Sequence, residues 1–327
     1  MPVWTVTGHE AATRACRRCS DGAGVMAVRG LGTGRVSHRR TDSTSAFFCP
    51  AAPRRTVPEC AMTPPAIPSP AATLVLLRDR PGGQAEILLI QRHGRSKFAA
   101  GDYVFAGGKV EADDIPDDLQ RFCPGLTPEA ASARLGGDLT PRQALGYWVG
   151  AIREAFEEVG VLLAYDRRGQ FIRFTADNRA RFEAHRKACQ AANPAFFTML
   201  REEGLTLATD RLRYFAHWIT PEEQPLRFDT RFIATLAPPE QEPEVDGHEI
   251  VALRWLTAAE AFAAFRAKEI TLRLPTIKNL ELLQAAGTRT AEILAALDGR
   301  AVPSIRPRVL QVDGKPLAVL PGDPRWY

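Results

Sequence analysis

Three glutamates within five positions, Glu154, Glu157 and Glu158, are the side chains best placed to do chemistry, in the run Arg153-Glu154-Ala155-Phe156-Glu157-Glu158-Val159-Gly160-Val161. On a helix they fall within an arc of about 100° and share one face. They also occupy the last turns before Gly160, where the helix dipole is negative and a carboxylate is disfavoured. Like charges at these spacings repel by about 0.2–0.5 kcal/mol per exposed pair. Selection for stability alone would not build this. A hard divalent cation, which takes oxygen ligands, would supply the missing positive charge. The competing reading is a solvated acidic helix face, and the glutamates alone do not decide between the two.

The elements that must hold these carboxylates are legible around them. Thr140-Pro141 opens a helix that runs to Val159, with Thr as N-cap, Pro at the first position and Gly160 to end it. Upstream, Ala72–Asp79 and Ala85–Gln91 read as strands joined by Arg80-Pro81-Gly82-Gly83. A short strand, Tyr103–Phe105, leads to Gly107-Gly108, which read as a turn or as a place where backbone approaches a ligand closely. Downstream, strands are expected over Leu212–Thr220, Thr230–Leu236 and Val251–Leu256. Helices are expected over Ala176–Gln190, Pro194–Glu203, Thr257–Lys268, Thr276–Ala286 and Thr288–Leu297. The order lacks a regular strand–helix beat, so a mixed sheet flanked by helices is expected in place of a doubly wound one.

Gly108, Arg153, Glu154, Glu157, Glu158, Gly160 and Val161 together resemble the Nudix box. Its pattern is a glycine, five residues, a glutamate, seven residues, then Arg-Glu-aliphatic-x-Glu-Glu-x-Gly-aliphatic. There are departures: Ala155 replaces the aliphatic, Ala106 stands where proline is usual, and Asp114 stands for the first glutamate. Residues 115–152 take the place of the seven-residue spacer, a 31-residue insertion. It reads as a loop with a short helix over Pro128–Leu135, serving as a pocket wall or as decoration. Other segments resemble the peroxisomal acyl-coenzyme A diphosphatase branch and its bacterial relatives. They are Leu88-Leu89-Ile90-Gln91-Arg92-His93, Phe215–Pro221, Arg227–Phe232, Leu274-Pro275-Thr276 and Leu320–Asp323.

The resemblance implies an α/β fold: a Nudix α/β/α sandwich with a mixed sheet, the insertion inside the box and a helical C-terminal extension. It implies hydrolysis of a phosphoanhydride in a nucleoside diphosphate linked to another moiety, with Mg²⁺ or Mn²⁺. The favoured substrate is coenzyme A or acyl-coenzyme A. The alternatives are an ADP-ribose, nucleotide-sugar or dinucleotide pyrophosphatase, and a catalytically silent nucleotide-sensing module. The metal ligands implied are Glu154, Glu157 and Glu158, and an Asp114–Arg153 pair replaces the box's Glu–Arg pair. The catalytic set is Glu154, Arg153 and an acid from a later loop, Glu249, with Glu244 and Asp246 as rivals. Gly107, Gly108, Arg92 and Arg227 would meet the substrate, and Arg95 and Arg231 are further phosphate candidates. Phe196, Phe197 and Met199 read as core or, less readily, as an acyl groove.

Composition sets the outer bounds. The chain has 327 residues, 45% hydrophobic and 24% charged, as in a globular protein with ample core. The net charge of +4 resolves into +5 over residues 1–61 and −1 over the rest, so nucleic-acid binding is not expected. No apolar run is long enough to span a membrane. Residues 1–70, Arg-rich with seven prolines between Pro50 and Pro70, read as a disordered tail or a mis-assigned start, with Met62 a candidate first residue. Residues 71–327 are the expected Nudix domain. Cys16, Cys19, Cys49 and Cys60 make a weak zinc motif. The body keeps only Cys123 and Cys189, and a reducing, cytoplasmic setting is expected.

Overall fold

Period-two alternation along the first two strands decides the architecture. In β1 (Ser69–Asp79) and β2 (Ala85–Arg92), Leu74, Leu76, Leu88 and Ile90 enter one core, while Val75, Leu77, Ile87 and Leu89 enter another. Strands buried on both faces require helices on both sides of the sheet. The computed structural model, which describes residues 64–96 and 99–326, has that arrangement.

Strands β3 (Tyr103–Val104) and β4 (Ala106–Lys109) follow, then a small ladder of β5 (Ala164–Tyr165) with β6 (Thr206–Leu207). The main sheet is completed by β7 (Arg213–Ile219), β8 (Phe228–Leu236), β9 (Ile250–Leu256) and β10 (Ser304–Ile305). Its order is β10-β7-β8-β1-β2-β3, with β4 on β1 and β9 on β2. The sheet is mixed. β1 and β8 run parallel from Ser69↔Phe228 to Leu77↔Leu236, and the β1–β2 hairpin is antiparallel.

Against one face lie α1 (Pro128–Leu135), α2 (Pro141–Val159), α3 (Arg179–Ala191) and α4 (Pro194–Glu203). Against the other lie α5 (Ala258–Arg266), α6 (Leu274–Ala286) and α7 (Thr290–Leu297). A hairpin of β11 (Arg308–Val312) and β12 (Lys315–Val319) ends the chain outside the main sheet, where only helices were expected.

Two differences from the sequence reading bear on the site. Gly107 and Gly108 are not in a turn: they lie within β4, paired to Thr73 and Ala72. The insertion is not decoration. Its Leu119, Phe122, Cys123, Leu126, Ala131 and Leu135 are buried in one core with α2 and α4, and the Phe122 ring meets the Phe197 edge at 5.3 Å. An Asp118–Arg201 bond of 2.7 Å ties it to α4. Phe196, Phe197 and Met199 are core residues of this same cluster. Among the described residues no helix is long and apolar enough to cross a membrane. The expectations for residues 1–61 and for the four cysteines there lie outside the described residues.

Candidate active site

The acidic residues sit on α2, whose two ends are fixed by local chemistry. At its start Thr140 and Gln143 form a reciprocal capping box, and Pro141 fills the first turn. At its end Gly160 takes φ 70°, a left-handed conformation that other residues adopt at a cost. Both ends being pinned, the rotation of the helix, and so the direction of its glutamates, is set.

Arg153 is the hub. It is 2% exposed, and Asp114, its bidentate partner, is fully buried. Nε donates to Asp114 Oδ1 at 2.7 Å and Nη2 to Asp114 Oδ2 at 3.0 Å. Nη2 also reaches the Lys109 carbonyl at 2.8 Å, tying α2 to the end of β4. Nη1 lies 3.1 Å from Glu157 Oε2 and 3.0 Å from Glu154 Oε1. Burial opposes the guanidinium charge, but Asp114, Glu154 and Glu157 outweigh it and hold the pKa above its ordinary value. Arg153 thus holds other groups in place, with its donors turned inward. The single-turn helix at Ala112–Asp114 delivers Asp114 across 31 extra residues without loss of the pair.

The three carboxylates gather where α2 passes β4. Glu158 Oε2 accepts the Gly107 amide at 2.8 Å, and Arg92 Nη1 reaches its Oε1 at 3.2 Å. Glu154 presses on Gly108 so closely that a Cβ there would lie 2.5 Å from its Oε1. Burial raises the pKa of all three: Glu154 to about 7, and Glu157 and Glu158 upward, with Glu154 adding repulsion to Glu158. Carboxylates held reluctant to ionise are groups a cation would stabilise. One Glu157 oxygen, Oε1, is also buried with no hydrogen-bond partner. The donor set is all oxygen, as Mg²⁺ or Mn²⁺ requires, so Glu154, Glu157 and Glu158 fit such an ion chemically. Among the described residues, however, no three acidic, imidazole or thiol groups stand as a preassembled cage. Glu154 and Glu157 are turned onto Arg153, and Glu158 onto Arg92.

Of the three later acids, the fold brings Glu249 nearest: its Oε2 is 3.7 Å from Arg92 Nη2, so Arg92 spans Glu158 and Glu249. Asp246 is used up shaping the loop, its Oδ1 accepting the amides of His248, Glu249 and Ile250. Glu244 pairs with Arg179 at the surface. Arg95 is exposed three residues beyond Arg92. Arg227 is not brought to the carboxylates. It is buried, and its guanidinium bonds the carbonyls of Thr220 at 3.1 Å and Ala66 at 2.6 Å. Arg231 stacks on Tyr147, 4.3 Å from the ring centroid, and pairs with Asp229, which also binds His217. Arg186 on α3 escaped the sequence reading. It bonds the carbonyls of Glu157 and Glu158. Its signal was position: it repeats the helix face of Phe182 and Cys189, where an apolar residue belongs.

Comparison with known proteins identifies the family. Residues 68–283 match the NUDT19 Nudix domain. The chain is 27% identical over 250 residues to the acyl-coenzyme A diphosphatase NUDT19 of Gallus gallus, an alignment covering 64% of this chain and 66% of that protein, just under two thirds of its length. It is 27% identical over 298 residues to the Homo sapiens protein of the same name, covering 81% and 76%. The crystal structure of a NUDIX hydrolase from Alicyclobacillus acidocaldarius superposes with a TM-score of 0.54 at 27% identity, covering 71% of this chain and 97% of that one. Nudix hydrolases as a family use divalent metal ions and act on small nucleotide substrates. With the box split by its insertion yet reassembled in space, this chain belongs to the Nudix hydrolases, in the branch of the NUDT19 Nudix domain.

Proposed function

We propose that this chain hydrolyses the phosphoanhydride of coenzyme A or an acyl-coenzyme A, giving 3′,5′-ADP and (acyl-)phosphopantetheine. The observation that carries the reading is the convergence of Glu154 and Glu158 on the glycines of β4, with Glu157 held beside Glu154 by Arg153 and Glu249 on the far side of Arg92. The names of the relatives favour the coenzyme A substrate. In the reaction, water attacks one phosphorus, its bond to the bridging oxygen breaks, and that oxygen leaves on the second phosphate.

Glu154, Glu157 and Glu158 would hold Mg²⁺ or Mn²⁺, which supplies charge neutralisation on the phosphate oxygens and acidifies water. The chain's own residues do the rest. Glu249, exposed and held only at 3.7 Å, is the acid free to take the water's proton. Arg92 balances Glu158 and Glu249 and lies next to where a diphosphate would enter. Arg153 keeps α2 and β4 in register. Action in a reducing, cytoplasmic setting belongs to the same reading, supported by the unpaired, buried Cys123 and Cys189.

The test is hydrolysis of coenzyme A, an acyl-coenzyme A, ADP-ribose, NADH and a dinucleoside polyphosphate in Mg²⁺, with products identified by mass spectrometry. Preferential release of 3′,5′-ADP from coenzyme A is expected, and Glu158→Gln should lower kcat by at least about 100-fold. Preference for ADP-ribose would overturn the substrate assignment. No turnover of any compound would leave a nucleotide-sensing module.

A further inference from the structure

The C-terminal end of α2 presents an accounting problem that one residue largely solves. A helix leaves its last four carbonyls without intrahelical donors. Here Phe156 O accepts the Gly160 amide at 3.0 Å, and Val159 O accepts the Glu244 amide at 2.9 Å. The remaining two, on Glu157 and Glu158, receive Arg186 Nε at 3.0 Å and Nη2 at 2.9 Å. The same Nη2 donates to the Glu244 carbonyl at 3.0 Å. Arg186 is 5% exposed, and no carboxylate lies within ion-pair distance of it among the described residues. A buried arginine ordinarily takes an acidic partner. This one gives its hydrogen bonds to main-chain carbonyls, at the helix end where a cation also offsets the dipole beneath two glutamates.

What those carbonyls belong to gives the contact its meaning. Two are the backbone of Glu157 and Glu158. The third, on Glu244, begins the loop that ends at Glu249. From Glu244 the loop is stiff: Asp246 caps three successive amides, and the Glu249 carbonyl accepts the His93 amide at 2.7 Å. We infer that Arg186 is a positioning residue that fastens the 244–249 loop to the carboxylate-bearing end of α2, fixing Glu249 relative to Glu158. The inference rests on the proposed hydrolysis only where Glu249 is assigned as the base. The fastening itself is independent of it.

Hydrogen exchange and kinetics together test it. In Arg186→Gln, amides of the 242–250 segment should exchange at least about tenfold faster while those of β1 and α6 are unchanged. The kcat on coenzyme A should fall about tenfold or more, with KM altered less than about threefold. Arg186→Lys, which keeps the charge but cannot bridge three carbonyls, should fall between, and it carries the test if Arg186→Gln does not fold. Gln190→Ala is the control, because Gln190 bonds Glu157 O at 2.7 Å without touching the loop. It should leave loop exchange as in the parent. If Arg186 acts through Glu249, the Arg186→Gln/Glu249→Gln double variant should be no slower than Glu249→Gln alone. Unchanged loop exchange in the Arg186 variants, equal opening in Gln190→Ala, or, where Glu249→Gln is itself slowed, additive kinetic losses would each overturn the inference. A Glu249→Gln enzyme of normal kcat, alongside a loop opened by Arg186→Gln, would uphold the fastening and sink the assignment of the base.

Discussion

Replacing each of the two adjacent glycines of β4 by alanine should separate folding from chemistry. At Gly108 the new Cβ would lie 2.5 Å from Glu154 Oε1 and 2.6 Å from its Cδ, whereas ordinary contact begins at 3.4 Å. The carboxylate must therefore retreat by about 0.9 Å, and as the far end of a flexible side chain it can do so by an off-rotamer shift of about 0.5–1.5 kcal/mol. A displacement near 1 Å at a reacting centre costs about 100-fold in rate. At Gly107 the Cβ meets main chain, the Ala72 carbonyl at 2.5 Å and Thr73 Cα at 2.6 Å, which cannot swing away. There the strain falls on the β1–β4 ladder, about 3 kcal/mol, or a melting temperature roughly 6–12 °C lower. Gly108→Ala should thus melt no more than roughly 6 °C below the parent yet turn over coenzyme A about 100-fold more slowly. Gly107→Ala should be visibly destabilised. Paired melts and steady-state kinetics decide it. A Gly108→Ala enzyme with parental kcat, or a Gly107→Ala protein with parental melting temperature, would refute the placement of Glu154 and the strand pairing respectively.

Three further outcomes follow from packing and charge. Arg153→Met strands the fully buried Asp114 carboxylate and should cost about 3–5 kcal/mol in urea unfolding, and an unchanged midpoint would show that the pair contributes nothing. Phe122→Ala, inside the insertion, should cost about 3–5 kcal/mol because the ring is core, whereas a residue of a merely decorative loop would leave the melt unmoved. Burial opposes ionisation of Asp229, but its bonds to His217 and Arg231 hold the carboxyl below its ordinary 3.8. A depressed carboxylate stabilises the fold above its unfolded pKa and loses that contribution as pH falls through the lower folded value. The stability gap between the parent and Asp229→Asn should therefore close as the pH drops below about 4, and a gap constant from roughly pH 6 to pH 3 would discard the ion-pair account.

How legible the site was depended on whether each residue's role is local. α2 could be read to the residue, from the Thr140-Pro141 start to Gly160, because capping is decided within a few positions. The same holds for α4 at Pro194–Glu203 and for α1 inside the insertion. For Gly107-Gly108 the sequence left a turn and a close backbone approach both open and did not show the strand, because glycine is poor in isolated strands. Here the β1 partner and the nearby Glu154 carboxylate decide the conformation. Strands β5, β6 and β10, each of two residues, are too short to carry a period. The β11–β12 hairpin did have a signal, Asp313-Gly314 at φ 50° and 73°, in a region read only for helices. Arg227 was placed with the substrate because an arginine beside a strand looks available. Its bond to the Ala66 carbonyl joins residues 161 positions apart, which no sequence window contains.

Between α1 and α2 the chain passes through Gly136, Gly137 and Asp138, all exposed, with both glycines in left-handed backbone. Everything N-terminal of that point brings the glycine strand and Asp114, and everything after it brings Arg153 and the glutamates. The box is therefore a joint between two separately drawn stretches of polypeptide. Its integrity depends on the Asp114–Arg153 clasp and on core packing, and hardly at all on the covalent link between them. A lineage could lengthen, shorten or even sever the chain at this glycine pair and keep a working box. A search that demands the motif as one unbroken string would miss such descendants.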